Sequence, residues 1–305
     1  MKRLLPFLAV LSAIFVSCSV PEFSDNPQEK AAQELACRVL GDKAASHFKF
    51  TLRSDSTETC DSFTLRQKGR KVEIVANNAN SMAVGLNYYL KYYCNAEYGW
   101  LAGDDPVLPE RWPAVDEPVT IKARVADRFF LNYCTYGYTM PWWRWSDWEH
   151  FIDWMAMNGV NLPLAITGQE SIWYQIWTEM GLSDEQVRSY FTGPAHLPWH
   201  RMQNIDRWGG PLPKSWLDAQ LELQKQITER ERELNMKPVL PAFAGHVPRE
   251  LREIYPDAPM TELEPWAGYT AEYACTFLDP MSELYTKIQN KYIHKRMGLL
   301  KLIYQ

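Results

Sequence analysis

Several motifs that identify common enzyme and binding classes are missing from this sequence. No C-x-x-C spacing occurs among the six cysteines, and the six histidines are scattered, which argues against a structural zinc site. No G-x-G-x-x-G or G-x-x-x-x-G-K motif occurs, so nucleotide-binding folds are disfavoured. The formal charge is −5 and the pI is about 5.8, without the basic excess typical of nucleic-acid-binding domains. What remains is a globular chain of 305 residues, long enough for two domains or one large barrel.

The first eighteen residues predict an export signal. Two basic residues, Lys2 and Arg3, precede an apolar run from Leu4 to Val16, and Ser17 then precedes Cys18. This order is typical of a bacterial lipoprotein, in which cleavage leaves the cysteine as the lipidated first residue. The alternative is an ordinary secretory signal with an incidental cysteine, but no competing A-x-A cleavage site occurs. We therefore expect an exported protein, periplasmic or attached to the outer membrane through a lipid on Cys18.

The rest of the chain contains no apolar run of eighteen residues, so the lipid is the one membrane attachment that we expect. Export permits disulfides among the five other cysteines. Because five is odd, at least one thiol is expected to stay free unless it pairs with another chain.

Residues 18–28 are polar and predict a tether, and residues 29–123 predict a small α/β domain. Apolar residues at helical spacing indicate a helix from Glu29 to Leu40, which Gly41 ends. Alternating residues then indicate strands, with a tight turn at residues 68–70. The predicted strands cover Phe48–Leu52, Ser62–Gln67, Lys71–Ala76 and Val119–Lys122, and a helix covers Asn80–Tyr93.

From residue 124 to residue 293 the pattern changes to strands that alternate with helices. This alternation indicates a parallel sheet with helical crossovers, either a barrel or a doubly wound sheet. A long loop from Thr192 to Pro213 interrupts it, and loops of this length inside compact domains are more often functional than idle. Four strands are predicted, at Arg128–Asn132, Asn161–Ile166, Lys237–Phe243 and Tyr273–Leu278. Helices are predicted at Asp147–Asn158, Ser171–Met180, Asp184–Phe191 and Lys214–Asn235, and one more begins at Met281.

The segment from Arg128 to Trp148 holds four tryptophans and three tyrosines. Asn132 and Cys134 follow its buried strand, where the strand ends of a barrel form a pocket mouth. Aromatic faces stack on the apolar faces of sugar rings, and an asparagine amide both donates to and accepts from ring hydroxyls. The helical spacing from Trp148 to Met155 indicates core packing instead. For Tyr136 to Trp143, which show no period, pocket and core remain equal alternatives.

Three ionisable residues follow predicted strands and are candidates for catalysis. Glu170 is the first candidate for general acid or base work, but a glutamate that begins a helix next to its macrodipole explains it equally well. His246 places an imidazole at the pocket rim or, alternatively, packs in a turn between Gly245 and Pro248. Asp279 is a weaker candidate because Asp-Pro also begins helices.

Three long runs resemble the N-terminal half of the α-N-acetylglucosaminidases of glycoside hydrolase family 89. They read NYCTYGYTMPWWRWSDWEHFIDWMAMNGVNLPLAITGQESIW, YFTGPAHLPWHRMQNIDRWGGPLPKSW and KPVLPAFAGHVP, and the resemblance covers about residues 128–280. It implies a small N-terminal α/β domain followed by a (β/α)8 TIM-type barrel. It also implies hydrolysis of terminal α-linked N-acetylglucosamine with retention of configuration, without a metal or organic cofactor.

Individual positions of the resemblance imply roles in sugar binding. Asn132 and Cys134 match residues that line the family's sugar pocket, as do Trp199 and Met202 in the run PWHRM. Trp266 in EPWAGY matches a further stacking residue. Glu170 matches no catalytic position of the family, so the resemblance implies a supporting role for it. The implied partner is a glycan with a terminal α-linked N-acetylglucosamine, and no nucleic acid.

The family's two catalytic glutamates lie beyond the fourth strand, the first of them in an Asn-Glu pair. This sequence contains no Asn-Glu dipeptide, and its last acidic residue is Glu283. The resemblance fades near residues 291–293, and residues 294–305 predict a divergent tail, interpreted as a frameshift or alternatively as a helix end. We therefore expect the first half of a barrel, truncated, partly folded and inactive. The alternative function is a non-catalytic glycan-binding lipoprotein.

Overall fold

The computed structural model describes residues 21–54, 59–101 and 105–299, so the predicted export signal and Cys18 lie outside the described residues. The helices are α1 (Pro27–Leu40), α2 (Asp42–Ala45), α3 (Ala79–Tyr93), α4 (Trp145–Met157), α5 (Gln169–Glu179), α6 (Asp184–Tyr190), α7 (Leu197–Arg201), α8 (Lys214–Glu233), α9 (Leu251–Ile254) and α10 (Glu283–Leu299). The strands are β1 (Phe48–Leu52), β2 (Ser62–Lys68), β3 (Lys71–Ala76), β4 (Val119–Lys122), β5 (Phe129–Phe130), β6 (Leu162–Pro163), β7 (His246–Val247), β8 (Met260–Glu262) and β9 (Thr276–Leu278).

The small N-terminal unit is a four-stranded sheet covered by two helices. Its strand order is β1-β3-β2-β4, with β1 parallel to β3 and the other pairs antiparallel. Gly85 of α3 permits close packing on the sheet, because a Cβ there would lie 2.6 Å from a side-chain methyl of Ile74. The Asn26 side chain begins α1 by accepting from two backbone amides, and Gly41, at φ +76°, ends it. The helices and strands predicted for this unit are confirmed within two residues.

Buried polar contacts join the N-terminal unit to α4. The Arg38 guanidinium of α1 donates two hydrogen bonds of 2.7 Å to the carboxylate of Asp153, which is buried. From α3, the Asn80 amide donates to the Val160 carbonyl and the Asn87 amide to the Met157 carbonyl, each at 2.8 Å. The Met157 carbonyl is the last of α4, where a helix leaves its carbonyls unpaired, and the Val160 carbonyl follows in the segment after the helix. The two units therefore share one continuous core.

The second unit is built on a short parallel sheet. β5 pairs in parallel with β6, and Leu164 makes a parallel bridge to Val239. The strands predicted around them are confirmed in position but are shorter, because regular pairing covers two residues in each of β5 and β6. The predicted third strand, Lys237–Phe243, is reduced to the bridge at Val239. No closed barrel forms within the described residues.

The fourth predicted strand pairs differently from the expectation. β9 lies between β7 and β8 and is antiparallel to both, so the prediction that it continues a parallel sheet is wrong for the described residues. Gly245, at φ +99°, turns the chain into β7, and its carbonyl accepts from the Leu278 amide at 2.8 Å. An alternating pattern identifies a strand but carries no information about the direction of its partner.

Helix α10 closes the described chain and packs on α5. The rings of Trp173 and Tyr292 stack with centroids 3.9 Å apart. The helix continues past residue 294, where the sequence analysis placed a divergent tail, and Arg296 is buried and donates to the carbonyls of Pro241 and Ala165.

No helix of the described ranges is long and apolar enough to cross a membrane. The five cysteines in these ranges are free thiols.

A buried carboxyl on α8 generates a prediction about pH. Glu231 is 1% exposed, its Oε2 has no hydrogen-bond partner in the described structure, and burial raises its pKa well above the usual value. In the unfolded chain the glutamate has a pKa of about 4.3 and loses its proton above that pH. The folded protein keeps the proton on Glu231 to a higher pH. The associated stability is fully present below that value and is lost as the pH rises toward the folded-state pKa.

We expect Glu231→Gln to raise the thermal unfolding midpoint at pH 8 and to flatten its decline between pH 5 and pH 8. Glu229→Gln, an exposed position on the same helix, is the matched control and should follow the wild type. Thermal unfolding followed by circular dichroism across this pH range measures both. Superimposable pH profiles for Glu231→Gln and wild type would contradict the prediction.

Candidate functional site

A cleft of about 80 Å³ lies between the residues that follow β5 and β6, helix α7, and the segment that leads into β7. Aromatic rings form part of its wall, and two histidines and one ion pair supply polar groups. Its lining residues are Tyr133, Gln169, Glu170, Trp173, Tyr190, His200, Arg201, Gln203, Pro241, Ala242, Phe243, Ala244, His246 and Tyr292. The cleft therefore combines apolar faces with a few fixed polar groups, as small-ligand sites do.

Glu170 is held in a buried ion pair. Gly168, at φ +69°, permits the turn before α5, because a Cβ there would lie 2.5 Å from the carbonyl oxygen of Gln220. The Glu170 carboxylate then accepts from Arg201 Nε at 2.7 Å and from Nη2 at 2.8 Å. Burial acts to raise the pKa of Glu170, but the charge and hydrogen bonds of Arg201 outweigh it and hold the pKa below its usual value. The carboxylate therefore stays ionised, and both of its oxygens are hydrogen-bonded to Arg201, which suits a structural role better than proton transfer.

Two histidines converge on the carboxylate of Asp206. His246 Nε2 lies 2.7 Å from Asp206 Oδ1, and His200 Nδ1 lies 3.1 Å from the same oxygen. Burial acts to raise the pKa of Asp206, but the charge of His246 and the contacts with both rings lower that pKa to about 2. Burial lowers the pKa of His200, so that ring is neutral at pH 7. The imidazole predicted at the pocket rim, His246, thus lies in the cleft wall and is bonded to an acid that the sequence analysis did not single out.

Four of the five predicted sugar-contacting residues lie on two adjoining segments beside the cleft, the chain after β5 and helix α7 with the residue after it. Asn132 is exposed, and its Oδ1 accepts from the Thr135 amide at 3.1 Å. Cys134 begins a 3-10 turn that packs on α7, the helix that carries Trp199 and precedes Met202. The contact is close at Gly137, where a Cβ would lie 2.7 Å from the Trp199 ring. These four residues do not line the cleft itself, and their role in sugar binding stays a prediction.

Trp266, the fifth residue, joins the others through a row of aromatic rings. Trp199 is 6.2 Å from His196, His196 is 6.4 Å from Trp208, and Trp208 is 5.0 Å from Tyr269, measured between centroids. Trp266 lies nearly parallel to Tyr269 at 6.3 Å. Trp208 and Trp266 are 38% and 39% exposed, and the other three rings are half-buried, so the row is partly accessible to solvent. We call Trp199, His196, Trp208, Tyr269 and Trp266 the aromatic row.

Residues 136–143, for which pocket and core were equal alternatives, are partly buried and partly exposed. Tyr136 and Met140 are buried, as the core interpretation predicts, whereas Tyr138 and Trp142 are 67% and 65% exposed. Asp279 is exposed, does not line the cleft, and its carboxylate accepts from the Met281 amide in the turn that precedes α10. Arg201 and Asp206 were not among the predicted site residues, although both lie in the long loop predicted to be functional.

Comparisons with known proteins agree with the fold and the quoted motifs. The model of the α-N-acetylglucosaminidase (NAGLU) TIM-barrel domain matches residues 128–301, more than half of the chain, and that of the NAGLU N-terminal domain matches residues 30–114. The TIM-barrel match continues to residue 301, past residues 291–293, near which the resemblance was expected to fade. Human α-N-acetylglucosaminidase is 38% identical over 258 residues, which are 83% of this chain and 35% of the human protein.

Solved structures give the same result. A family 89 glycoside hydrolase from Clostridium perfringens in complex with 2-acetamido-1,2-dideoxynojirimycin superposes with a TM-score of 0.83 and 35% identity, over 90% of this chain and 31% of that chain. A further Clostridium perfringens structure, in complex with its substrate GlcNAc-α-1,4-galactose, matches with the same values. A Streptomyces coelicolor β-N-acetylhexosaminidase, at 12% identity and a TM-score of 0.51 over 91% of this chain and 52% of that chain, shares the fold alone.

The chain spans about a third of the length of its human and Clostridium perfringens relatives. Its two domain matches, its identity to the human protein and its superposition on the bacterial enzyme all concern the same two units that the fold shows. The chain belongs to the α-N-acetylglucosaminidase family, glycoside hydrolase family 89.

Proposed function

We propose that this chain supplies the sugar-binding N-terminal part of a glycoside hydrolase that releases terminal α-linked N-acetylglucosamine with retention of configuration. The observation that carries the proposal is the aromatic row, which runs from Trp199 to Trp266 beside Asn132 and Cys134 and has two exposed members, Trp208 and Trp266. A Clostridium perfringens relative binds its substrate GlcNAc-α-1,4-galactose, which supports this class of glycan. Ring faces take the apolar face of the sugar, and the Asn132 amide orients its hydroxyls.

We further propose that the chain by itself does not hydrolyse glycosides. Retaining glycosidases use two carboxyl groups about 5–5.5 Å apart, one as acid and base and the other as nucleophile. Among the residues that line the described cleft, Glu170 is the one carboxylate, and Arg201 occupies both of its oxygens. The chemistry therefore depends on carboxylates that this cleft does not contain.

The test of both statements uses the full chain and an aryl α-N-acetylglucosaminide. We expect no hydrolysis above the uncatalysed rate, but saturable binding of N-acetylglucosamine followed by tryptophan fluorescence. Trp199→Ala should weaken that binding by roughly 3- to 10-fold, since an aromatic stacking contact contributes about 0.5–1.5 kcal/mol. Tyr92→Ala, an exposed aromatic of the N-terminal unit, is the control and should bind like the wild type. Hydrolysis would refute the second statement, and equal binding by both variants would refute the first.

A non-catalytic glycan-binding protein is the second candidate, because the described cleft has aromatic faces without a free carboxylate pair. It requires a chain that is stable alone. A cooperative unfolding transition of a monomer, shifted upward by N-acetylglucosamine, supports this candidate. The absence of such a transition instead supports the proposal that this chain is one part of a larger glycoside hydrolase.

The structural role of Glu170 gives a prediction about stability. Glu170→Gln leaves the Arg201 charge buried without its partner, which costs about 3–5 kcal/mol in the free energy of unfolding. Glu222→Gln, which removes the exposed partner of Lys225, is the matched control and should cost less than about 1 kcal/mol. Urea denaturation measures both values. Equal losses for the two variants would show that the buried pair has no special role.

We also propose that the protein is exported and lipidated on Cys18, on the strength of the leader sequence from Lys2 to Ser17. In bacterial cells we expect the wild type in the detergent-soluble membrane fraction and Cys18→Ser in the aqueous fraction. Cys60→Ser removes a different thiol and should stay with the membranes. Fractionation followed by immunoblotting decides the matter, and a membrane-bound Cys18→Ser protein would refute lipid anchoring at this residue.

A further inference from the structure

Three potential metal ligands from separate parts of the chain meet at the wall of the cleft. His200 lies on α7, Asp206 in the loop after it, and His246 on β7. One ligand atom from each residue lies within 4.8 Å of the other two. The histidines are scattered along the chain, which argued against a structural zinc site, but the fold brings two of them to one carboxylate.

The arrangement leaves one nitrogen without a hydrogen bond. His200 Nδ1 is 3.1 Å from Asp206 Oδ1, yet it has no hydrogen-bond partner in the described structure, although His200 is only 4% exposed. A buried polar atom without a partner costs free energy, and its presence points to a group that completes the site. The nitrogen lies close to the same oxygen that His246 Nε2 contacts at 2.7 Å, but its N–H geometry does not form a hydrogen bond with that oxygen. Two nitrogens and one oxygen therefore converge on one small volume.

The spacing suits a tetrahedral metal ion. Ligands at 2.0–2.1 Å from zinc are separated from one another by about 3.3 Å in a tetrahedron. The two nitrogen–oxygen separations, 3.1 Å and 2.7 Å, reach that value after shifts of a few tenths of an ångström. Imidazole and carboxylate ligands are the combination that zinc takes with an open position for water. Both histidines also line the cleft, so a water at the fourth position is accessible from it.

The surroundings of the cluster resemble those of a built metal site. The Cys275 thiol donates to Asp206 Oδ1 at 3.5 Å, which is the kind of outer contact that orients a metal-binding carboxylate. The Tyr190 ring packs against both imidazoles, with centroids 4.7 Å from His200 and 5.1 Å from His246. Tyr190 and Cys275 are buried, so the cluster is shielded from solvent on these sides.

We propose that His200 Nδ1, Asp206 Oδ1 and His246 Nε2 bind one Zn²⁺ ion, with a water molecule in the fourth position. The ion links α7 and the part of the long loop that follows it to β7. It thereby fixes the cleft wall next to the aromatic row. The inference does not depend on the proposed glycosidase activity, because metal binding is measured without sugar or hydrolysis.

The test uses the full chain, purified without a histidine tag and stripped with a chelator. Titration with ZnCl₂ against a chromophoric zinc chelator should give one zinc ion per chain and a higher unfolding temperature. His246→Asn should weaken zinc binding by more than about 100-fold, because even the loss of an outer contact costs about 10- to 100-fold. His150→Asn is the matched control, since this ring binds Tyr98 and the Gly99 carbonyl and should leave zinc binding unchanged.

A folded wild-type chain that takes up no stoichiometric zinc would overturn the proposal and leave a hydrogen-bonded His–Asp–His cluster. Unchanged zinc affinity in His246→Asn would also overturn it. If His246→Asn does not fold, Co²⁺ added to the wild type decides the question. Strong visible absorption at one equivalent indicates a four-coordinate site, whereas the weak spectrum of hydrated cobalt refutes it.

Discussion

Parallel pairing of three short chain segments places three walls of the cleft next to one another. The Leu164 amide donates to the Phe130 carbonyl at 2.8 Å, and the Ala165 amide donates to the Val239 carbonyl at 2.9 Å. Because the three segments run in the same direction, the residues that follow them emerge at one edge. Tyr133, Gln169 and the segment 241–246 therefore meet around one cleft although more than one hundred residues separate the first from the last.

Buried charged groups hold the long loop, Thr192–Pro213, against this edge of the sheet. Arg201 binds Glu170 at the start of α5, and Asp206 binds His246 on β7, so the loop is attached on both sides. A buried charge is costly unless a partner satisfies it, which makes each attachment specific for one geometry. The Arg38–Asp153 pair acts in the same way between the N-terminal unit and α4. The units are thus positioned by a few buried ionic contacts as well as by apolar packing.

Sequence patterns predicted the elements better than the relations between them. Apolar spacing predicted α1, α3 and the strands of the first sheet within two residues, because turn residues mark where these elements begin and end. The same reasoning missed the antiparallel pairing of β9, since strand direction depends on contacts that are remote in sequence. It also selected Glu170 for its place after a strand and could not foresee Arg201, thirty-one residues later, as its partner. Asp206 was missed for the same reason.

Helix α7 connects the interior of the site to its surface. Arg201 forms the buried ion pair with Glu170, and His200 lies against Asp206, while Trp199 packs against Gly137 and begins the aromatic row. A helix of five residues has no core of its own, so its orientation is set by these side-chain contacts. Since a Cβ at Gly137 would lie 2.7 Å from the Trp199 ring, the indole has little room to compensate if the helix turns. The position of the first ring of the aromatic row is therefore a consequence of the buried polar contacts of Arg201 and His200.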